Sequence, residues 1–405
     1  MAEFYTYQLP NGIRGIHRRT PGSVTHCALL INAGSRDELK GESGLAHFTE
    51  HALFKGTAKR HAYQVNCRLE NLGGELNAFT TKEDTTIHAT TLRGDFSKAV
   101  ELISDIVFNS TFPQKELERE REIVLDEINT YKDSPSELIY DSFEEMLFKG
   151  SELGCNILGR KSDIKRFDTE AIKRFTTRCY TTDEMVFSTI GNLSPSRVEA
   201  IAARYFGDIP QSHREFQRAE ATLLSPFDVS EKHRTHQVHT MIGTRAYGIN
   251  ESKRLPFALL VNLLGGPSAN SLLNLEIRER YALTYNIEAN YTPYTDCGVF
   301  SIYFGADGSN TERAMELINE QLHRLQNEPL TPRRLSMAKR QFIAQLEISM
   351  ESNEGYMLGV GKSFLLHNSV DTTQQIEEKV RRLTADDIME VAQERFNSLS
   401  MLTYK

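Results

Sequence analysis

The chain has 405 residues, of which 39% are hydrophobic and 25% are charged, and its net charge is −8. This length predicts two or more domains, and the composition is typical of a folded soluble protein. The negative charge argues against duplex nucleic acid as a partner, because phosphate binding needs a basic surface.

The cysteines and the N-terminus bear on the compartment. Five cysteines are widely spaced without a CxxC pair, which predicts buried thiols in a reducing compartment rather than a disulfide framework. The segment MAEFYT at 1–6 lacks the features of a signal peptide, and no apolar run is long enough to span a membrane. We therefore expect a cytoplasmic protein with no membrane partner, although a leader removed by processing would escape this test.

Strand and helix patterns alternate through the first half of the chain. Period-two alternation on both sides of Asn11-Gly12 predicts a hairpin, and VTHCALLIN at 24–32 predicts a third strand. Further strands are predicted at 76–80, 85–91 and 185–190, and helices at 44–55, 62–72, 96–108, 114–131, 135–148 and 195–205.

The second half repeats this order of elements. Strands are predicted at 237–243, 283–289, 298–304 and 398–404, with helices at 255–264, 269–280 and between 304 and 396. The polar segment 211–231 predicts a linker. We therefore expect an α+β fold with two similar halves, each a mixed, mostly antiparallel sheet with helices packed on one face. The predicted domains are 1–210, which carries the metal motif, and 232–405, which lacks it.

The strongest local signal is His47-Phe48-Thr49-Glu50-His51 on a predicted helix. Residues four apart project from one face of a helix, so the two imidazoles can share a metal ion, and Glu50 reaches the same face. The order is the reverse of the commoner His-Glu-x-x-His zinc motif. A pattern with three fixed positions also arises by chance, so the motif alone does not settle the matter.

A third metal ligand is expected on the predicted helix at 114–131. Glu120 and Glu127 are seven residues apart and lie at the edge of its apolar stripe, which favours one ligand and one supporting carboxylate. A solvated charged helix is the alternative explanation for these acids. The remaining acids of this helix, which point further outward, are Glu118, Glu122 and Asp126.

Together these features resemble the pitrilysin/insulinase family of inverted-motif zinc peptidases, and within it the short branch similar to the catalytic subunit of mitochondrial processing peptidase. The resemblance covers nearly the whole chain. It implies one zinc ion per chain, held by His47, His51 and Glu127, with Glu50 as the catalytic base. It also implies that Glu120 supports the site.

The resemblance extends to a substrate-binding strand within the segment GGELNAFT at 73–80. In the family this edge strand pairs with the backbone of an extended peptide. His88 departs from the family, which more often has an aromatic residue there. The residues implied in substrate binding are Gly74, Leu76, Asn77, Ala78 and Phe79.

In the second half, Gly265-Gly266 and Leu283-Thr284-Tyr285 resemble the signature of the family's C-terminal domain. This implies that Arg278 and Tyr285 assist substrate binding and the transition state. Without the resemblance, Arg278 would be taken for a surface ion-pair residue. A chain of this length supplies only half of the family's chamber, so we expect a homodimer in which Arg278 and Tyr285 complete the zinc site of the partner subunit.

The predicted function is therefore a zinc-dependent endopeptidase that hydrolyses unfolded or extended peptides. A non-catalytic subunit of the same fold is the main alternative, but such subunits usually lose part of the metal set. A metal-storage module fits Glu50 poorly, because a closed metal site needs no base. The histidines at 233, 236 and 239 are not expected to bind a metal, since neighbours spaced by three on a strand point to opposite faces.

Overall fold

A computed structural model describes residues 3–222 and 224–405 of the chain. The chain forms two compact units. Unit 1 comprises the chain up to Asn129, Cys155–Ala219 and Ile348–Thr372, and unit 2 comprises Thr130–Gly154, Glu220–Glu347 and Thr373–Lys405. Both units are therefore discontinuous along the sequence, unlike the contiguous domains that the sequence pattern suggests.

The strands form one sheet in each unit. Unit 1 contains β1 (Tyr5–Gln8), β2 (Arg14–Arg19), β3 (Val24–Ile31), β4 (Glu75–Thr80), β5 (Thr85–Leu92) and β6 (Met185–Gly191). Unit 2 contains β7 (Asp228–Glu231), β8 (Val238–Ala246), β9 (Thr284–Pro293), β10 (Gly298–Ala306) and β11 (Ser400–Tyr404).

The helices lie between these strands in the sequence. The first eight are α1 (Leu45–Leu53), α2 (Ala62–Glu70), α3 (Phe96–Phe108), α4 (Gln114–Lys132), α5 (Pro135–Leu147), α6 (Lys161–Ile164), α7 (Thr169–Cys179) and α8 (Pro195–Phe206). The other six are α9 (Arg254–Gly265), α10 (Gly308–Asn327), α11 (Pro332–Ser349), α12 (Asn353–His367), α13 (Thr373–Arg382) and α14 (Ala385–Arg395). The segment Asn274–Arg280 is a π-helix.

The sheet of unit 1 has the order β1-β2-β6-β3-β5-β4. Strands β2 and β6 are parallel, and β3 pairs antiparallel with both β5 and β6. The strand β3 is apolar along most of its length because both of its faces are buried. Leu29 and Ile31 belong to the core that includes residues of helices α1–α4, α7 and α8, whereas Ala28 and Leu30 belong to the core on the opposite face.

Helix α12, which comes from late in the sequence, covers that opposite face. Val360 and Phe364 share a buried cluster with Leu30 and Val186 of the sheet. Gly361 permits this close approach, because a Cβ there would lie 2.7 Å from Cδ1 of Leu30 and 2.8 Å from Cβ of Ser188. The later helix therefore completes the core of the sheet built by the first part of the chain.

Unit 2 has the sheet order β7-β11-β8-β10-β9. Its strands match β2-β6-β3-β5-β4 in order and in direction, with one parallel pair followed by antiparallel pairs. Helices α9, α10 and α14 contribute to the core on one face, and α5 packs against β8 and β11 on the other. The predicted α+β fold with two similar halves is thus confirmed, and each sheet has one additional helix on its second face.

The first part of the segment predicted as a linker, up to Ala219, belongs to unit 1 and makes specific contacts there. Arg218 donates to both carboxylate oxygens of Asp37, at 2.9 and 2.8 Å, and Arg214 lies 3.1 Å from the same carboxylate. The side chain of Asp37 is fully buried. Sequence reasoning also missed β7, a short polar strand inside this segment that pairs parallel to β11.

Candidate metal centre

Helix α1 carries the metal motif and is fixed at its N-terminus. Oε2 and Oε1 of Glu38 accept hydrogen bonds from the backbone N–H groups of Gly44 and Ala46, each at 2.9 Å. A carboxylate there satisfies two of the N–H groups that the first turn of a helix leaves unpaired. Gly44 has φ 92, and a Cβ at this position would lie 2.7 Å from the carbonyl oxygen of Leu158. Glycine is therefore required where the chain enters the helix.

His47, His51 and Glu127 come together as predicted. Nε2 of His47 lies 3.2 Å from Nε2 of His51, and Oε2 of Glu127 lies 3.8 Å from both nitrogens. Four-coordinate zinc with ligands at 2.0–2.2 Å places neighbouring ligand atoms about 3.3 Å apart. The three donor atoms therefore fit three corners of a zinc tetrahedron.

The chemistry of the donor set also fits a metal ion. Nδ1 of His51 donates to Oε1 of Glu120 at 2.7 Å, so Nε2 is the ring nitrogen that can offer a lone pair to a metal ion once it has lost its proton. Burial lowers the pKa of His47 to about 4, so this ring is neutral at physiological pH. The two Nε2 atoms lie 3.2 Å apart, at hydrogen-bonding distance, so without a metal ion one ring can donate Nε2–H to the other, and a bound metal ion would replace that proton.

Glu120 links the candidate ligand His51 to Lys55. Its second carboxylate oxygen lies 2.6 Å from Nζ of Lys55, and its side chain is only 5% exposed. Burial raises the pKa of Glu120, but the hydrogen bonds from His51 and Lys55 outweigh this effect and hold the pKa below its ordinary value. For His51, burial lowers the pKa, but the bond to Glu120 and the nearby carboxylates outweigh it and raise the pKa. Nδ1 of His47, by contrast, has no hydrogen-bond partner among the described residues.

The buried carboxyl group of Glu50 lies beside the ligands. Burial raises its pKa above the ordinary glutamate value, and the charges of His51 and Glu127 lie close enough to contribute to the shift. Its Oε2 accepts a hydrogen bond from Oγ1 of Thr80 at 2.6 Å. A carboxylate with a raised pKa holds a proton more readily and is suited to act as a general base.

The predicted substrate strand is β4, which lies at the edge of its sheet. It pairs with β5, and no other strand pairs with its outer edge in the ranges 3–222 and 224–405. Leu76 and Ala78 pack against the core that contains α1, whereas Asn77 and Phe79 are exposed. Its backbone edge is thus available for a further strand.

Arg278 and Tyr285 both lie in unit 2 and are accessible. Arg278 belongs to the π-helix, and its side chain is 49% exposed. On β9, Thr284 pairs with Ala306 and Asn286 pairs with Gly305, so Tyr285 is the extra residue of a β-bulge. Its exposure is 85%. Bulges and π-helices are both frequent at functional sites.

The second histidine group has separate, ordinary contacts. His239 hydrogen-bonds to the hydroxyl of Tyr303 at 2.9 Å, and the ring of His233 stacks on Tyr404 with centroids 3.8 Å apart. In the described part of the chain, the only group of three or more potential ligands that converges on one point is His47, His51 and Glu127.

Sequence reasoning missed Glu38, Lys55 and Thr80. Lys55 lies four residues after His51, so its helical spacing could have placed it beside Glu120. The sequence gives no signal for the contacts of Glu38 and Thr80, because they join residues from separate elements. Among the described residues, no helix has the length and apolar character needed to cross a bilayer.

Comparisons with known proteins agree with this geometry. Residues 16–161 match the model of the insulinase family, peptidase family M16, and residues 166–342 match the model described as the peptidase M16 inactive domain. The three candidate metal ligands all lie in the first of these matches. Two solved structures have the same fold, each with a TM-score of 0.92 and 20% identity. They are a protease from Helicobacter pylori, where the match covers 99% of both chains, and a peptidase M16 inactive domain from Pseudomonas fluorescens, where it covers 100% of this chain and 98% of the other.

Relatives in bacteria match over nearly their full length. The chain is 29% identical over 398 residues to YmxG of Bacillus subtilis, which is described as an uncharacterized zinc protease, and the match covers 98% of this chain and 96% of the relative. It is 30% identical over 371 residues to an uncharacterized zinc protease of Rickettsia bellii, covering 91% of this chain and 89% of the relative. The chain therefore belongs to the insulinase family, peptidase family M16.

Proposed function

We propose that this protein is a zinc-dependent endopeptidase that hydrolyses unfolded or extended peptides inside a closed chamber. The observation that carries the proposal is the convergence of His47, His51 and Glu127 beside the buried carboxyl group of Glu50. The name zinc protease given to its relatives supports zinc as the metal. We further propose one zinc ion per chain, because a single convergent ligand group lies within the described residues.

Zinc held by these three side chains would supply Lewis-acid chemistry, which polarises the scissile carbonyl and lowers the pKa of water. Glu50 accepts a proton from the attacking water and later delivers it to the leaving amine. Its burial and its place next to the ligands suit this role, because a base must lie within hydrogen-bonding reach of the proton that it removes.

The edge strand β4 supports an extended peptide as substrate. A peptide that adds to its open edge gains main-chain hydrogen bonds, which recognise an extended backbone of any sequence. Gly74, Leu76, Asn77, Ala78 and Phe79 are the proposed contact residues. A folded substrate would have to unfold first, because a strand that is already paired on both sides has no free backbone groups.

The variant Glu50→Gln tests the proposal. Glutamine has nearly the same volume but cannot accept the proton, so zinc binding should persist while peptide hydrolysis falls by about 10²–10⁴-fold. Zinc content by elemental analysis and cleavage of an unfolded peptide are measured on the same preparation. Glu122→Gln, an exposed substitution on α4, is the control and should cleave like the wild type. Cleavage at the wild-type rate by Glu50→Gln would remove Glu50 as the base. Zinc-loaded wild type that cleaves no unfolded peptide would favour the alternative, a non-catalytic subunit.

We also propose a homodimer in which Arg278 and Tyr285 complete the zinc site of the partner subunit. Their exposure leaves both side chains available to a second chain. Tyr285 would donate a hydrogen bond to the developing oxyanion, and Arg278 would hold the substrate backbone. The similarity to the catalytic subunit of mitochondrial processing peptidase stays a prediction.

Mixing two inactive variants tests this arrangement. Glu50→Gln and Tyr285→Phe each lack one required group, but a mixed dimer has one site with both wild-type residues. Activity should therefore return in part after subunit exchange. Absence of recovery despite demonstrated exchange, or full activity in a monomer, would contradict the shared site.

We further propose a cytoplasmic location, which the free thiols of Cys27, Cys67 and Cys179 support.

A further inference from the structure

Thr80 joins the proposed base to the proposed substrate strand. It is the last residue of β4, and its hydroxyl donates to Oε2 of Glu50 at 2.6 Å. Among the described residues, no other group donates a hydrogen bond to this carboxylate. The short distance is typical of a hydroxyl bound to an ionised carboxylate.

The backbone that carries Thr80 is firmly anchored. The turn that follows it is closed by a hydrogen bond from Thr81 N to the carbonyl oxygen of Asp84 at 2.8 Å. The carboxylate of Glu83 in this turn lies 2.6 Å from Nη1 of Arg36, whose side chain is almost fully buried. Nζ of Lys362 binds the carboxylate of Asp84 at 2.6 Å. The end of β4 is therefore a rigid point from which a side chain can hold Glu50.

Glu50 needs a fixed hydrogen-bond donor to hold its carboxyl group in one place. Two methylene groups carry this carboxyl group, so the side chain has several staggered rotamers. The bond to Thr80 occupies one carboxylate oxygen and selects one rotamer. The other oxygen accepts no hydrogen bond from the described residues and is left to receive the proton. General-base catalysis is sensitive to this placement, since a displacement of about 1 Å can cost a hundredfold in rate.

We propose that Thr80 is a positioning residue for Glu50 and that it fixes the distance between the bound peptide backbone and the base. The proposal rests on the proposed function, because it assumes that peptides add to β4 and that Glu50 is the base. It extends that function, because the strand that pairs with the peptide, and so sets its register, also carries the residue that sets the position of the base. Its effect should appear in kcat rather than in KM.

Three variants test the proposal. Thr80→Val is nearly isosteric but removes the donor, and we expect kcat to fall roughly 10–100-fold with KM and zinc content unchanged. Thr80→Ser keeps the hydroxyl and should restore most of the rate. Thr25→Val is the matched control, because Thr25 is a buried strand residue of the same sheet whose hydroxyl has no hydrogen-bond partner among the described residues. It should cleave like the wild type.

A crystal structure of Thr80→Val supplies a readout that is independent of activity. The Glu50 carboxyl group should occupy a different rotamer or several rotamers, while the rings of His47 and His51 stay in place. An unmoved Glu50, an unchanged kcat, or equal damage from Thr80→Ser and Thr80→Val would overturn the proposal. If zinc-loaded wild type cleaves no peptide, the proposed function itself fails, and the position of Glu50 in the variant still decides the role of Thr80.

Discussion

The substitution Glu120→Gln should weaken zinc binding without unfolding the protein. Glu120 accepts from Nδ1 of His51 at 2.7 Å and from Nζ of Lys55 at 2.6 Å, one contact for each oxygen. Glutamine keeps the shape but offers one acceptor and one NH2 group. In either orientation the NH2 group meets a donor, so one of the two charge-assisted hydrogen bonds is lost.

The size of the effect follows from these contacts. A hydrogen bond to a charged group contributes about 1.5–3 kcal/mol, and loss of the one to His51 would raise the zinc Kd by roughly 10–150-fold. Loss of the bond to Lys55 instead would still remove the negative charge behind His51 and make this ring a weaker ligand. Substitutions behind a metal ligand typically cost about 10–100-fold in affinity, which agrees with this range. His47 cannot compensate, because its Nδ1 has no partner among the described residues.

The measurement is a competition between the metal-free protein and a chromophoric chelator for zinc. Glu122→Gln, which removes an exposed carboxylate from the same helix, is the control and should bind zinc like the wild type. Thermal unfolding of both metal-free variants shows whether the fold is intact. A zinc Kd for Glu120→Gln equal to that of the wild type would refute the argument that Glu120 orients His51.

The remaining predictions concern the third ligand and the packing of α12. Glu127→Ala should lower the zinc stoichiometry while Glu122→Ala does not, and equal stoichiometry in the two variants would exclude Glu127 as a ligand. Gly361→Ala should lower the thermal unfolding midpoint, because overpacking against Ser188 costs about 1–3 kcal/mol and the gain in helix propensity is only about 1 kcal/mol. Gly359→Ala on the same helix has no atom within 4 Å of the added Cβ and should raise the midpoint, and shifts of the same sign would contradict the packing argument.

Much of the metal centre could be predicted because its geometry is local. Helical spacing alone places His47, Glu50 and His51 together. The apolar stripe of α4 selects Glu120 and Glu127 among its many acids, and the structure gives these two residues the contacts expected of them. The resemblance to a family is what singles out Glu127 as the proposed ligand and Glu120 as the proposed supporting carboxylate.

The contacts that the sequence could not reveal join distant segments. Thr80 contacts Glu50 only because β4 ends beside α1, and no local sequence pattern predicts this contact. The polar segment after residue 211 is typical of a linker, yet Arg214 and Arg218 anchor it on the buried carboxylate of Asp37. The position of α12 could not be predicted either, because helical periodicity predicts a helix but not the sheet against which it packs.

During synthesis on the ribosome, helix α12 is made long after the sheet that it covers. The strands of the first sheet are complete once residue 191 has been made, but the helix that covers one of their apolar faces begins at residue 353. At about 5–20 residues per second, this interval lasts roughly 8–30 s. During that time Leu30, Val186 and Ile190 have no α12 to bury them, so the nascent chain offers a hydrophobic surface to chaperones and to other nascent chains. Expression of the first half alone would make that transient exposure permanent.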